Sequence, residues 1–218
     1  MIHREYWLVF WVRTVGNFLI LSAVAGAILT FWPAAESEVN YRYQQTTGTH
    51  YILANTAKAD TNLLASRQTQ LTITPASTDF GIVILKIGAN AAVIANVDPD
   101  NQGAYTRALR RGVAHAVGTA YPGQIGNTYL FAHSAGNFWE MSRFNAVFYL
   151  LKELDPGDEI NIFYQGKRFD YLVYDKQIVE ANAVEYLSPQ ANFAKLTLQT
   201  CWPPGTALKR LLVFGRLK

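Results

Sequence analysis

"KLTLQTCWPPGTALKRLLVFG", residues 195–215, reads as two strands around a turn. Leu196 and Leu198 alternate with Lys195, Thr197 and Gln199, the period of a half-buried strand. Pro203-Pro204-Gly205 then stops any ladder, because proline has no N–H to give and glycine turns freely. "RLLVFG" opens a second apolar run. A hairpin turning at Trp202–Leu208 sets Arg210 beside Cys201 across the paired strands. Cys201 is the only cysteine in 218 residues, so it forms no internal disulfide and no cysteine-rich metal site. It is either a small buried apolar residue or a nucleophile.

Similar signals run upstream. "FGIVILKIG" (80–88) is a short apolar run ending on glycine, and "NAAVIANVDPD" (90–100) is a second one closed by Asp-Pro. Asp100 is expected to cap a short helix over Gln102–Leu109. "GNTYLFAHSAG" (126–136) reads as a strand ending on His133, whereas His115 falls in a loop-like Gly/Ala-rich stretch. "DEINIFY" (158–164) and "RFDYLVYD" (168–175) flank Gln-Gly-Lys, a hairpin signal. The aromatic-rich Phe138–Leu154 segment is expected to be partly helical. Many short strands with Gly/Pro turns predict an all-β barrel or sandwich.

The N-terminus differs. Gly16 to Trp32 is seventeen residues without a charge, just enough to cross a hydrocarbon core if Arg13 snorkels and Tyr6–Val12 is borrowed. Arg4 and Arg13 precede this run while Glu36 and Glu38 follow it, which puts the N-terminus in the cytoplasm. A cleaved signal peptide competes, but Phe31-Trp32-Pro33 makes a poor cleavage site. We expect a cytoplasmic tip and anchor over 1–36, an extracytoplasmic stalk over 37–77 and a catalytic domain over 78–218. "NTAKADTNLLASRQTQ" (55–70) within the stalk could form a short helix. Half the chain is hydrophobic and 16% charged, which excludes a disordered chain; a net charge of +3 without a basic block gives no nucleic-acid signal.

A nucleophilic thiol needs a proton partner and an oxyanion stabiliser. His3 lies before the anchor and His50 in the stalk, which leaves His115 and His133. Residue chemistry alone leaves both open, with small neighbours around His133 favouring it. Arg210 is the candidate oxyanion donor.

These residues resemble the sortase family. "TLQTC" is similar to its TLxTC signature, with an arginine in the following strand, and "GNTYLFAHS" to the strand that carries its catalytic histidine. "ILKIGANAAVIANVD", "GVAHAVGTAYPGQIGN" and "ELDPGDEINIFYQGKRFDYLVYD" resemble further family segments, in family order from Phe80 to Leu217. Leu85 stands where the family's first strand has proline, and Ala132 where many members have glycine. The short turn after Cys201 resembles housekeeping-like or pilus-related members.

The resemblance implies a closed barrel of about eight strands with short helices, preceded by a transmembrane helix. It implies Cys201 as nucleophile, His133 as proton donor and acceptor, and Arg210 as substrate clamp and oxyanion donor, with Thr200 supporting the oxyanion. His115 loses its candidacy. Specificity is implied in Lys176–Ala194, where Val179, Ala181, Ala183 and Leu187 are candidates for an apolar groove. No cofactor or metal is expected; calcium lacks support, since Glu140, Asp175, Glu180 and Glu185 are scattered. The implied partners are surface proteins bearing an LPxTG-like sorting signal and a peptidoglycan-precursor or pilin amine, at the bacterial cell membrane. A free thiol near ~8.5 and a free imidazole near ~6.5 leave the thiolate–imidazolium pair on the order of a hundredth of the molecules, so such chemistry is slow.

Two rivals stand. Another cysteine transpeptidase or protease would show other motifs, such as a His-Gly before the cysteine or a cysteine early in the chain. A degenerate binding module would grip the signal without cutting it.

Overall fold

A computed structural model describes residues 2–53, 70–134 and 147–218. In chain order the strands are β1 (His50–Leu53), β2 (Gln70–Ile73), β3 (Phe80–Ile84), β4 (Ala89–Val97) and β5 (Val113–Ala116). They continue with β6 (Gly126–Phe131), β7 (Glu159–Tyr164), β8 (Lys167–Glu180), β9 (Ala194–Trp202) and β10 (Lys209–Leu217). Eight of them close a barrel in the order β10-β8-β7-β3-β4-β5-β6-β9, the fold expected. Closure leaves no free sheet edge. Pairing is antiparallel except between β4 and β5 and between β6 and β9.

The barrel closes because its strands carry apolar residues at every second position. Ile82, Ile84, Leu130, Ile160, Ile162, Leu196, Leu198, Leu211 and Val213 fill the interior. Outside, α2 (Gln102–Leu109) bridges β4 and β5 and covers a second cluster with Val97, Tyr129 and Phe131. The β7–β8 hairpin turns on Gln165 and Gly166, both at positive φ, as a two-residue primed turn requires.

Several local expectations are corrected. The helix cap is Asn101, not Asp100: the Asn101 side chain accepts from Ala104 N at 3.0 Å, while the Asp100 N–H is held by Asp98 Oδ1 at 2.9 Å. His115 lies in strand β5, not a loop; a four-residue strand is too short for its alternation to show. Within "FGIVILKIG" the strand ends at Ile84, and Leu85–Ile87 winds a 3-10 turn that Gly88 closes at φ 63°. β6 stops at Phe131, two residues short of His133. β8 runs on to Glu180, so the first five residues of the expected loop are strand. In the Phe138–Leu154 segment the described part holds a 3-10 turn over Tyr149–Glu153, and the rest lies outside the described residues.

One helix, α1, spans Ile2–Thr47. Its Tyr6–Leu29 stretch is long and apolar enough to cross a membrane, and none of its residues is buried within the protein. The helix does not stop near residue 36. Its last turns reach the barrel, where Lys152 Nζ meets Glu38 Oε2 at 3.2 Å. β1 pairs parallel with β2, and Leu53 is buried against Val83 and Phe163. The described parts of 37–77 therefore lean on the barrel rather than standing apart from it. Most of the 55–70 stretch lies outside the described residues.

Candidate active site

Strand parity sorts the residues of β9. Leu196 and Leu198 enter the barrel core, so Lys195, Thr197, Gln199 and Cys201 alternate onto the outer face. Antiparallel register pairs Cys201 with Arg210 directly, and Leu212 and Phe214 follow with Gln199 and Thr197. Paired residues share a face, which brings thiol and guanidinium together. On the other side of β9, the parallel ladder with β6 ends at Phe131 opposite Gln199. Beyond the end of the ladder the chain runs on through Ala132 to His133, which lines the same cleft as Cys201.

Two hydrogen bonds hold this exit in place. Ala132 N donates to Gln199 O at 3.1 Å, and Thr200 Oγ1 donates to Ala132 O at 3.0 Å. Thr200 is buried and its hydroxyl is thus committed to the backbone next to His133. Cys201, His133 and Arg210 are each partly buried and line one cleft of 530 Å³. Thr200, Ala181, Ala183 and Leu187 line it too, whereas Val179, the β8 partner of Arg210, does not.

Sequence reasoning missed several walls of this cleft. Pro99 and Asp100 come from the β4–α2 connection, Tyr105 from α2 itself, Tyr129 and Gln199 from the outer faces of β6 and β9, and Val184 from the loop after β8. The odd-numbered alternation of Gln199 with Cys201 was the one signal that could have found a member of this set. Among the described lining residues the formal charges come from Asp100 and Arg210. Arg210 Nη1 donates to Ala207 O at 3.2 Å and Lys209 O at 3.1 Å, so its own turn orients the guanidinium. Burial pushes the Tyr129 phenol well above its ordinary range, with the Arg210 charge opposing. Its hydroxyl stays protonated and donates to Gln199 Oε1.

His115 is elsewhere. It is fully buried, pairs with Leu130 and stacks on Tyr121 at 4.9 Å. Its Nδ1 accepts from Asn96 N at 3.3 Å, so the ring's proton sits on Nε2, which lies 3.2 Å from Ala120 O. Burial holds its pKa below the usual histidine range, with the Ala120 contact opposing. No group of three or more His, Cys, Asp or Glu that could hold a metal occurs among the described residues.

The family model for the sortase domain matches residues 82–218. Sortase D of Bacillus subtilis (strain 168) is 26% identical over 136 residues, 61% of this chain and 60% of that protein. The chain thus spans three fifths of the length of that curated relative. Sortase C-1 from Actinomyces oris superposes with a TM-score of 0.55 at 28% identity, over 64% of this chain and 72% of that one. The pilus-related sortase C of Group B Streptococcus gives 0.54 at 28% identity, over 65% and 68%. The matched region holds the whole barrel from Ile82 onward and all three cleft residues, and on that match the chain belongs to the sortase family.

Proposed function

We propose that this chain is a membrane-anchored cysteine transpeptidase that cuts an LPxTG-like sorting signal between threonine and glycine. The observation that carries the reading is that one cleft holds all three residues: Cys201 sits opposite Arg210 in the β9–β10 register, and His133 follows the end of β6, where Ala132 N donates to Gln199 O. One nucleophile, one titratable ring and one fixed cation then share a cleft.

In this mechanism the Cys201 thiolate attacks the threonine carbonyl and forms a C–S bond. Arg210 donates to the oxygen as negative charge grows on it. His133 gives its proton to the departing glycine amine as the C–N bond breaks. An acceptor amine, from a peptidoglycan precursor or a pilin lysine, then attacks the thioester, and His133 takes its proton. Thr200 acts by fixing the backbone beside His133 rather than through its hydroxyl. Ala181, Ala183, Val184 and Leu187 form the apolar wall for the signal's leucine and proline, and Val179 supports Arg210 from β8. Tyr6–Leu29 anchors the enzyme, with the barrel outside the cytoplasm. Holding enzyme and substrate at one membrane raises their effective concentration.

The test uses the full chain in detergent micelles with a pool of L-x-x-T-G peptides and triglycine, read by mass spectrometry. A Thr–Gly₃ product is expected, lost by at least ~10⁴-fold in Cys201→Ala and His133→Ala. Arg210→Ala should lose on the order of 10²–10³-fold, the range for one oxyanion donor. No product, together with a Cys201 that does not react with an alkylating probe, would return the chain to the degenerate binding module.

A further inference from the structure

"PGQIGN" (122–127) belongs to a segment similar to one in the family, yet neither Gly126 nor Asn127 touches the cleft. Asn127 is 1% exposed, on the outer face of β6. Burying an amide costs free energy unless all its hydrogen bonds are made, and here they are. Nδ2 donates to Tyr186 O at 3.0 Å and to Ser188 O at 3.1 Å. Oδ1 accepts from Thr197 Oγ1 at 2.7 Å, and Thr197 is itself fully buried on β9.

Both carbonyls that Nδ2 holds belong to the loop between β8 and β9, at the end of its 3-10 turn Val184–Leu187. That turn carries Val184 and Leu187 into the cleft wall, next to Ala183. Backbone bonds from the same corner add to the grip: Asn127 N donates to Pro189 O at 2.9 Å and Gly126 N to Phe193 O at 3.1 Å. Gly126 has φ 126°, and a Cβ there would press on the Pro189 carbonyl at 3.0 Å, so the approach needs glycine. Tyr186 finishes the latch, its ring 5.9 Å from Phe214 and its hydroxyl donating to Gln177 Oε1 at 3.1 Å.

We infer that Asn127 is a positioning residue that sets the apolar wall of the substrate cleft by pinning the 184–188 turn to β6 and β9. This rests on the transpeptidase reading for its substrate, but not for its geometry. Side chains on a short 3-10 turn have little local stability of their own, so the wall's position depends on what holds the turn's carbonyls. Asn127 touches none of the three cleft residues, so its loss should change which peptide is accepted rather than the chemical step.

The experiment compares full-length wild type, Asn127→Asp, Thr197→Val and Tyr171→Phe in detergent micelles. Asn127→Asp keeps the acceptor for Thr197 and loses both N–H donors to the loop. Tyr171→Phe is the control: it removes a buried hydroxyl of the main core, which accepts from Gly123 N at 3.0 Å and touches none of the loop's carbonyls. Hydrogen exchange should speed up about tenfold or more over residues 183–193 in Asn127→Asp and less in Thr197→Val. KM for a leucine-first signal peptide should rise about tenfold with kcat nearly unchanged, and preference over an alanine-first peptide should shrink. The control should lose thermal stability without either change. Unaltered exchange in the loop, or kcat/KM lost equally for both peptides, overturns the assignment. A wild type that turns over neither peptide would sink the transpeptidase reading, while the exchange measurement still decides whether Asn127 holds the wall.

Discussion

In the proposed mechanism a single guanidinium carries two duties. Arg210 is held by the carbonyls of Ala207 and Lys209, and it lines the cleft opposite Cys201. Lysine at this position keeps the charge but lacks the planar fork. Arg210→Lys is therefore expected to lose most of the activity of the wild type, measured as kcat/KM, while alkylation still reaches Cys201. Full activity in that variant would mean that charge alone suffices. His115 sets a different expectation, on stability. Its folded pKa lies below the unfolded one, so between the two values the unfolded chain binds more protons. Stability is then whole above the unfolded value of about 6.5 and falls as pH drops through it toward the folded value. Thermal unfolding scanned from about pH 8 to pH 5 should show this loss, and His115→Gln should flatten it. Equal slopes in both proteins would remove His115 from the account.

The β9–β10 hairpin and the N-terminal arm show what elements add. Leu196, Leu198, Leu211 and Val213 lock the register of the hairpin, because a slip of one residue would turn all of them out of the core. The same lock fixes Cys201 against Arg210, so the site inherits its precision from core packing. The arm is held more lightly. Leu53 fills a small outer cluster with Val83 and Phe163, and Leu53→Ala is expected to cost ~2 kcal/mol, at the low end for a buried leucine. Limited proteolysis should then cut near β1 before the barrel is attacked. Unchanged stability and cutting would mean that the arm's contact is incidental. Gly81 makes a stronger demand, since any Cβ there would run into the Ser77 carbonyl. Gly81→Ala should destabilise the barrel by roughly 1–3 kcal/mol, the usual range for overpacking.

For the whole molecule, the question is how the barrel stands to the membrane. α1 is continuous from its apolar stretch to Thr47, and the Lys152–Glu38 ion pair ties its far end to the barrel. Helix rise gives about 14 Å between Leu29 and Glu38, the stand-off from a bilayer expected if Tyr6–Leu29 spans it as proposed. Removing residues 2–29 should move the protein from the membrane to the soluble fraction in cell fractionation. Retention at the membrane would point to a second contact surface. The ion pair itself is partly exposed and worth little to stability. Lys152→Ala should therefore leave the melting temperature nearly unchanged.

The sequence by itself determined an all-β domain of barrel or sandwich type, and its resemblance to the family narrowed this to the closed barrel that the structure shows. Short apolar runs at β3 and β4 and period-two alternation in β9 need only local information, and the Pro-Pro-Gly turn placed Arg210 across from Cys201. The family segments distinguished His133 from His115, which residue chemistry alone had left open. Tertiary structure decided the rest. A four-residue strand such as β5 shows too little alternation to be read, so His115 looked like loop. The cap is Asn101 rather than Asp100 because the helix begins at Gln102 and the Asn101 side chain is the one that accepts from Ala104 N. The cleft walls at Asp100, Tyr105 and Tyr129 come from segments apart in the chain, brought together through the β4–β5, β5–β6 and β6–β9 ladders, of which the first and last are parallel. Parallel strands are long-range neighbours with no turn between them, and that is why no reading of adjacent residues brings Asn127 to the loop it holds.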